Sequence, residues 1–156
     1  METLIRKNLL FSFAIVSDSH IKPGSGDESS PYKTNLLANS RNRYVVQELN
    51  RRSPAFVIHL GDLVHPLPDL PTYDNAARIF KAIYGHLNQK LYVVPGNHDV
   101  GDKPLAFMPA AKVSEDRIKR YKQHFGNDYQ SFSYKNCDFI LVNSSLLNSN
   151  LESEKK

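Results

Sequence analysis

A single cysteine, Cys137, stands in 156 residues, so no intrachain disulfide can form. It lies in the apolar stretch Cys137-Asp138-Phe139-Ile140, where a buried, inert thiol is expected. A chain without disulfides fits a reducing compartment, the cytoplasm. No run approaches the roughly 18 consecutive apolar residues of a membrane-spanning helix. Dense lysine and arginine tracts are missing too: 20 basic and 16 acidic residues are interspersed, for a formal net charge of +4. That distribution gives no nucleic-acid-binding patch, while the small positive excess favours anionic ligands such as phosphates. Internal repeats, low-complexity tracts and linkers are absent. Arg6 and Lys7 ahead of the apolar run 9–16 imitate a secretion signal. The run leads straight into Asp18 and His20, however, and cleavage nearby would destroy the first strand.

What is present is the material for one domain, residues 1–156, with 40% hydrophobic and 23% charged residues. Residues 10–17 form a continuous apolar run, predicting a strand buried on both faces. Shorter runs at 55–60 and 91–94 predict two more strands. A helix is expected over 36–52, with Leu37, Val45, Val46 and Leu49 on one stripe and Ser53-Pro54 ending it. Pro66, Pro68 and Pro71 keep 63–73 irregular. Asp74 is the expected cap of a second helix reaching His86, with Ala77, Phe80, Ile83, Tyr84 and Leu87 inward. This β-α-β-α-β alternation predicts parallel strands joined by right-handed crossovers. Beyond an irregular stretch to Pro109, Ser114 caps a helix ending near Phe125, before Gly126-Asn127. A hairpin of 131–134 and 138–143 is expected around Lys135-Asn136, then a frayed polar tail.

Each of the first three strands ends in polar residues of metal-ligand type: Asp18-Ser19-His20, Gly61-Asp62 and Gly96-Asn97-His98-Asp99. In open parallel sheets, ligands gather beyond the carboxyl ends of the strands. Singly, each group has an ordinary reading, as a turn cap, a loop closure or an αL turn residue. Together, carboxylates, an amide and imidazoles converge on a metal or a phosphate. The loop 21–32, rich in proline, glycine and serine, either borders this site or is a plain surface connection.

In this order, after three apolar strands, DxH, GD and GNHD resemble the calcineurin-like metallophosphoesterase superfamily over roughly residues 11–145. The resemblance implies an α/β metallophosphoesterase-like sandwich, a β-α-β-α-β core with helices flanking the sheet. It implies a phosphate ester substrate and two divalent metal ions (manganese, iron or zinc) about 3.5–4 Å apart. Asp18 and His20 would bind the first ion, Asp62 would bridge both, and Asn97 would bind the second. His98 would sit beside the leaving oxygen as acid or charge stabiliser, oriented by Asp62, with metal-activated water as nucleophile. Asp99 is expected to accept loop amides and hold His98, His59 to pack in the core, and His65 to sit in a loop. DxH instead of DxG, and His65 where purple acid phosphatases carry a tyrosine, argue against that branch. The family also uses later histidines, in a GH and a GHxH. After His98 this chain has only His124. The chain is therefore expected to be an N-terminal portion of such a domain, incomplete at its C-terminus, with exposed apolar sheet that promotes self-association. The alternative expectation is a truncated or spliced form that binds metal weakly or serves interactions. Asn143-Ser144-Ser145 matches a glycosylation sequon but follows a core strand, and no weight is placed on it.

Overall fold

Strand β2 (Phe56–His59) is buried along its whole length. Its side chains alternate between two faces, as a pleat requires, and both faces are covered. The computed structural model describes residues 9–24, 30, 32–103, 105–106 and 110–155. In it, β2 pairs in parallel with β1 (Ala14–Val16) on one side and β3 (Lys90–Val93) on the other. The crossovers are helices α1 (Ala38–Arg52) and α2 (Tyr73–Tyr84), which pack against each other. They cover the β2 face that presents His59, whose ring lies 5.6 Å from Phe80 and 5.5 Å from Tyr84. The opposite face presents Phe56 to the antiparallel hairpin of β4 (Gln130–Tyr134) and β5 (Cys137–Leu141). Phe56 meets Phe132 at 5.1 Å and Phe139 at 5.0 Å, while Tyr92 of β3 stacks on Phe132. The result is the flanked α/β sandwich that the resemblance implied, with the parallel strands that the alternation of elements predicted.

Four expectations are corrected. Strand β1 is not buried on both faces: it stands at the sheet edge with Ile15 56% exposed, and the hairpin's Tyr134 and Phe139 pack on Phe11 and Phe13, ahead of the strand. Leu37 is exposed, since residues Lys33–Leu37 wind as a 3-10 turn and only then does α1 begin. That tighter winding puts Leu37 out of phase with the buried stripe, which is Ala38, Asn42, Val46 and Leu49. Asp74 lies inside α2 and caps nothing; its carboxylate pairs with Arg120 and His124 at 2.8 Å each. Cys137 is exposed, because it follows the two-residue turn at the hairpin tip, paired with Tyr134.

The third helix is one turn, α3 (Asn97–Val100), and the fourth is α4 (Glu115–Phe125). The Ser114 hydroxyl caps α4 by accepting from the Arg117 amide at 3.4 Å. Arg117 stands where a capping box would place a carboxylate; its guanidinium instead reaches Asp69 and the Ala110 carbonyl. Arg6, Lys7, Pro109 and part of the loop 21–32 lie outside the described residues. Among the described residues no helix is long and apolar enough to cross a membrane.

Candidate metal centre

The parallel pairing of β1 and β2 does not stop where the strands do. Asp18 N–H donates to the Gly61 carbonyl (3.0 Å), His20 N–H to that of Asp62 (2.9 Å) and Ile21 N–H to that of Leu63 (3.1 Å). This bonding continues through backbone that is no longer extended. Asp18 (φ 55°), His20 (φ 41°) and Asp62 (φ 53°) all lie in the left-handed region. Such conformations cost a non-glycine residue of order 1–3 kcal/mol and persist only where the surroundings enforce them. They turn the three side chains out of the sheet's alternation and towards one point. Gly61 and Gly96 let the β2 and β3 loops touch: a Cβ on Gly61 would overlap the Gly96 backbone, and one on Gly96 would overlap the Asp62 carboxylate.

At that point His20 Nε2 lies 3.6 Å from Asp62 Oδ2 and 3.9 Å from Asp18 Oδ1. The rings of His20 and His98 meet edge to face, with centroids 4.8 Å apart. His65, from the loop after β2, completes a cluster of three imidazoles, 6.2 Å from His20 and 6.4 Å from His98. Asp62 Oδ1 accepts from the His98 backbone amide at 3.0 Å, so its contact with His98 runs through the chain and not the ring. Asn97 and Asp18 share with Asp62 the wall of a 410 Å³ cavity, together with Asp102, Lys103, Ser144 and Ser145. Sequence reasoning overlooked Asp102 and Lys103, which carry no motif, and met Ser144 and Ser145 only as part of the sequon, in what folds as a 3-10 turn.

These residues fit a divalent ion. Donor atoms of His20, Asp62 and His98 all lie within 4.8 Å of one another. The Nδ1 atoms of His20 and His98 are buried without a hydrogen-bond partner. At 3.6 Å, His20 and Asp62 are too far apart for a hydrogen bond. Two atoms bound to one ion at roughly 2.1 Å each stand roughly 3.0–3.6 Å apart. Burial, helped by His98, lowers the His20 pKa against the opposing pull of Asp62 and Asp18. That favours the neutral imidazole, the form that ligates metals. Mixed nitrogen and oxygen donors suit manganese, iron or zinc better than calcium.

Two neighbours behave as the sequence suggested. Asp99 is fully buried and accepts the amides of Leu63 (3.0 Å) and Gly96 (2.9 Å), tying the β2 loop to the β3 loop. Burial raises its pKa to about 7, against the pull of those amides. His59 is a core residue with its pKa lowered to about 3 by burial. The sequon residue Asn143 is buried, its side chain bonded to Asp128 and to the Ser145 amide.

Comparison with known proteins agrees with this geometry. The family model described as calcineurin-like phosphoesterase matches residues 11–152. The chain belongs to that family. Curated relatives within it include the serine/threonine-protein phosphatase CPPED1 of Mus musculus, 31% identical over 104 residues, covering 65% of this chain and 30% of that protein. The Bos taurus protein of the same name is 30% identical over 108 residues, covering 65% of this chain and 31% of the relative. For the Homo sapiens protein the figures are 28% over 103 residues, 64% and 30%. The chain thus spans about 30% of the length of the relatives it matches. The phosphoesterase family is one of divalent-metal enzymes acting on phosphate esters, in keeping with the donor set at the strand ends.

Proposed function

We propose that this chain carries the metal-binding residues of a phosphoesterase that hydrolyses phosphoserine or phosphothreonine esters in proteins. The observation behind this reading is that His20 and Asp62, read as ligands, lie with the ring of His98, read as the acid, within 4.8 Å in a chain of the calcineurin-like family. The substrate class rests on the printed name of the relatives, serine/threonine-protein phosphatase. Asp18 and His20 would hold one divalent ion, the Asn97 amide a second, and Asp62 would be shared by both. Bound divalent ions supply the Lewis acidity that activates water and neutralises phosphoryl oxygens. His98, its backbone held by the Asp62 carboxylate, places its ring beside the leaving oxygen and stabilises or protonates it.

A second reading has its own support. After His98 the chain has neither GH nor GHxH, and the donor group among the described residues holds only His20, Asp62 and His98. On that reading the chain holds metal weakly, turns over nothing, and associates with a second copy through β1. The β1 edge facing away from β2 carries no partner strand among the described residues, and Ile15 of that strand is exposed.

One experiment separates the two. The manganese-saturated chain is desalted, its metal counted by mass spectrometry, and assayed on p-nitrophenyl phosphate, bis(p-nitrophenyl) phosphate and a phosphoserine peptide. The first reading expects turnover that falls at least about a hundredfold in Asp62→Asn, as removal of a group acting on the reacting centre does. Metal retained without turnover selects the second reading. A wild-type chain that holds no more manganese than Asp62→Asn overturns both.

A further inference from the structure

Ser19 stands between Asp18 and His20 and is 5% exposed. Its hydroxyl lies at the centre of a buried polar chain. Gly61 N–H donates to His59 Nδ1 at 3.2 Å, so that nitrogen carries no proton. The proton is then on Nε2, which donates to Ser19 Oγ at 3.0 Å. Ser19 Oγ in turn donates to the Leu63 carbonyl at 2.8 Å. Every direction along this chain is determined, and the His59 tautomer with it. The Ser19 carbonyl is held as well: Asn42 Nδ2 donates to it at 2.9 Å and to the Ala38 carbonyl at 2.8 Å. Asn42 Oδ1 accepts from the Tyr84 hydroxyl at 2.7 Å. One residue is thereby gripped from β2, from the loop after it, from α1 and from α2.

Polar groups at such depth are costly unless fully paired. Here the whole network ends on the single residue between two candidate ligands, both with left-handed backbone. We propose that Ser19, His59, Asn42 and Tyr84 form a positioning scaffold that sets Asp18 and His20 in place before any metal arrives. The proposal rests on the reading of Asp18 and His20 as ligands. On this proposal the four residues are not ligands: they act through the backbone of 18–20, as the groups behind metal ligands do elsewhere. Their removal loosens the loop and lowers metal affinity while leaving the rest of the core folded.

The test uses the full chain with Ser19→Ala, Tyr84→Phe and, as a core control outside the network, Ile83→Val. Amide hydrogen exchange is measured without metal, and manganese affinity by competition with a chelator. Both network variants are expected to speed exchange at the Asp18 and His20 amides at least tenfold over the control. They are expected to weaken manganese binding 10- to 100-fold, the range for such supporting partners. Exchange at those two amides that matches Ile83→Val overturns the scaffold, and so does faster exchange with unchanged manganese affinity. Should the wild-type chain bind no manganese, the metal reading fails on that measurement alone. Exchange in the metal-free chain still decides whether Ser19 holds the loop.

Discussion

His59 and Asp99 are buried and titrate in opposite senses. His59 has a folded pKa of about 3 against an ordinary 6.5. As the pH falls below 6.5 the unfolded chain takes up a proton that the folded chain refuses until about 3, and stability is lost. Asp99 has a folded pKa of about 7 against an ordinary 3.8. The folded chain keeps its proton where the unfolded one has released it, so stability is lost as the pH rises from 3.8 towards 7. Between about 4 and 6.5 the two slopes oppose, each about 1.4 kcal/mol per pH unit. In His59→Phe the Asp99 slope stands alone. Urea unfolding should show its stability relative to wild type rising by about 1.4 kcal/mol for each unit of acidification in that window. A difference that stays constant with pH would mean that His59 titrates as an ordinary histidine. Both roles were legible in the sequence, because a histidine inside an apolar run and a carboxylate after a glycine turn have few other places to go. The Ser19 network was not: nothing in a serine or a helical asparagine announces that Tyr84 and His59, dozens of residues away, will complete it. Cys137 misled because apolar neighbours imply burial only where an element has something above it.

At the scale of elements, strands β2 and β3 and the C-terminal ends of α1 and α4 could be read from composition, and the loops that carry the chemistry follow directly from the strands. The phase of α1 could not, since apolar periodicity has no term for a buried Asn42. The closeness of the loops was also invisible, although the glycines mark it. Gly96 has φ −96° and ψ −173°, which alanine adopts freely. A methyl group there fails for another reason: it would overlap the Asp62 carboxylate and backbone. Gly96→Ala should therefore displace a candidate ligand without breaking a turn. Expected are a manganese affinity reduced at least tenfold and a stability loss of about 1–3 kcal/mol, the range for overpacking. Calorimetric titration and urea unfolding measure the two. Unchanged affinity would separate Asp62 from the metal.

For the molecule as a whole, the parallel sheet was legible in the β-α-β-α-β alternation and the layers in the resemblance, but that β1 stands at an edge was not. Which strand ends up outermost depends on what covers it, and no local pattern records that. The edge has a measurable expression. Sedimentation velocity should show association that grows with concentration, and Ile15→Lys, a charge on the edge strand, should suppress it. A chain that remains monomeric at high concentration would rule out this edge as a contact between copies. The same sheet governs how the chain acquires its form. No rung of it joins near neighbours: Val57 faces Ala14 on one side and Leu91 on the other. Loop-closure entropy precedes any gain from such pairings. Among the described strands, only the hairpin across Lys135-Asn136 closes locally. During synthesis, Asp18 and His20 emerge first and wait longest, because the strand ends that aim them have no complete sheet behind them until Val93 has been made.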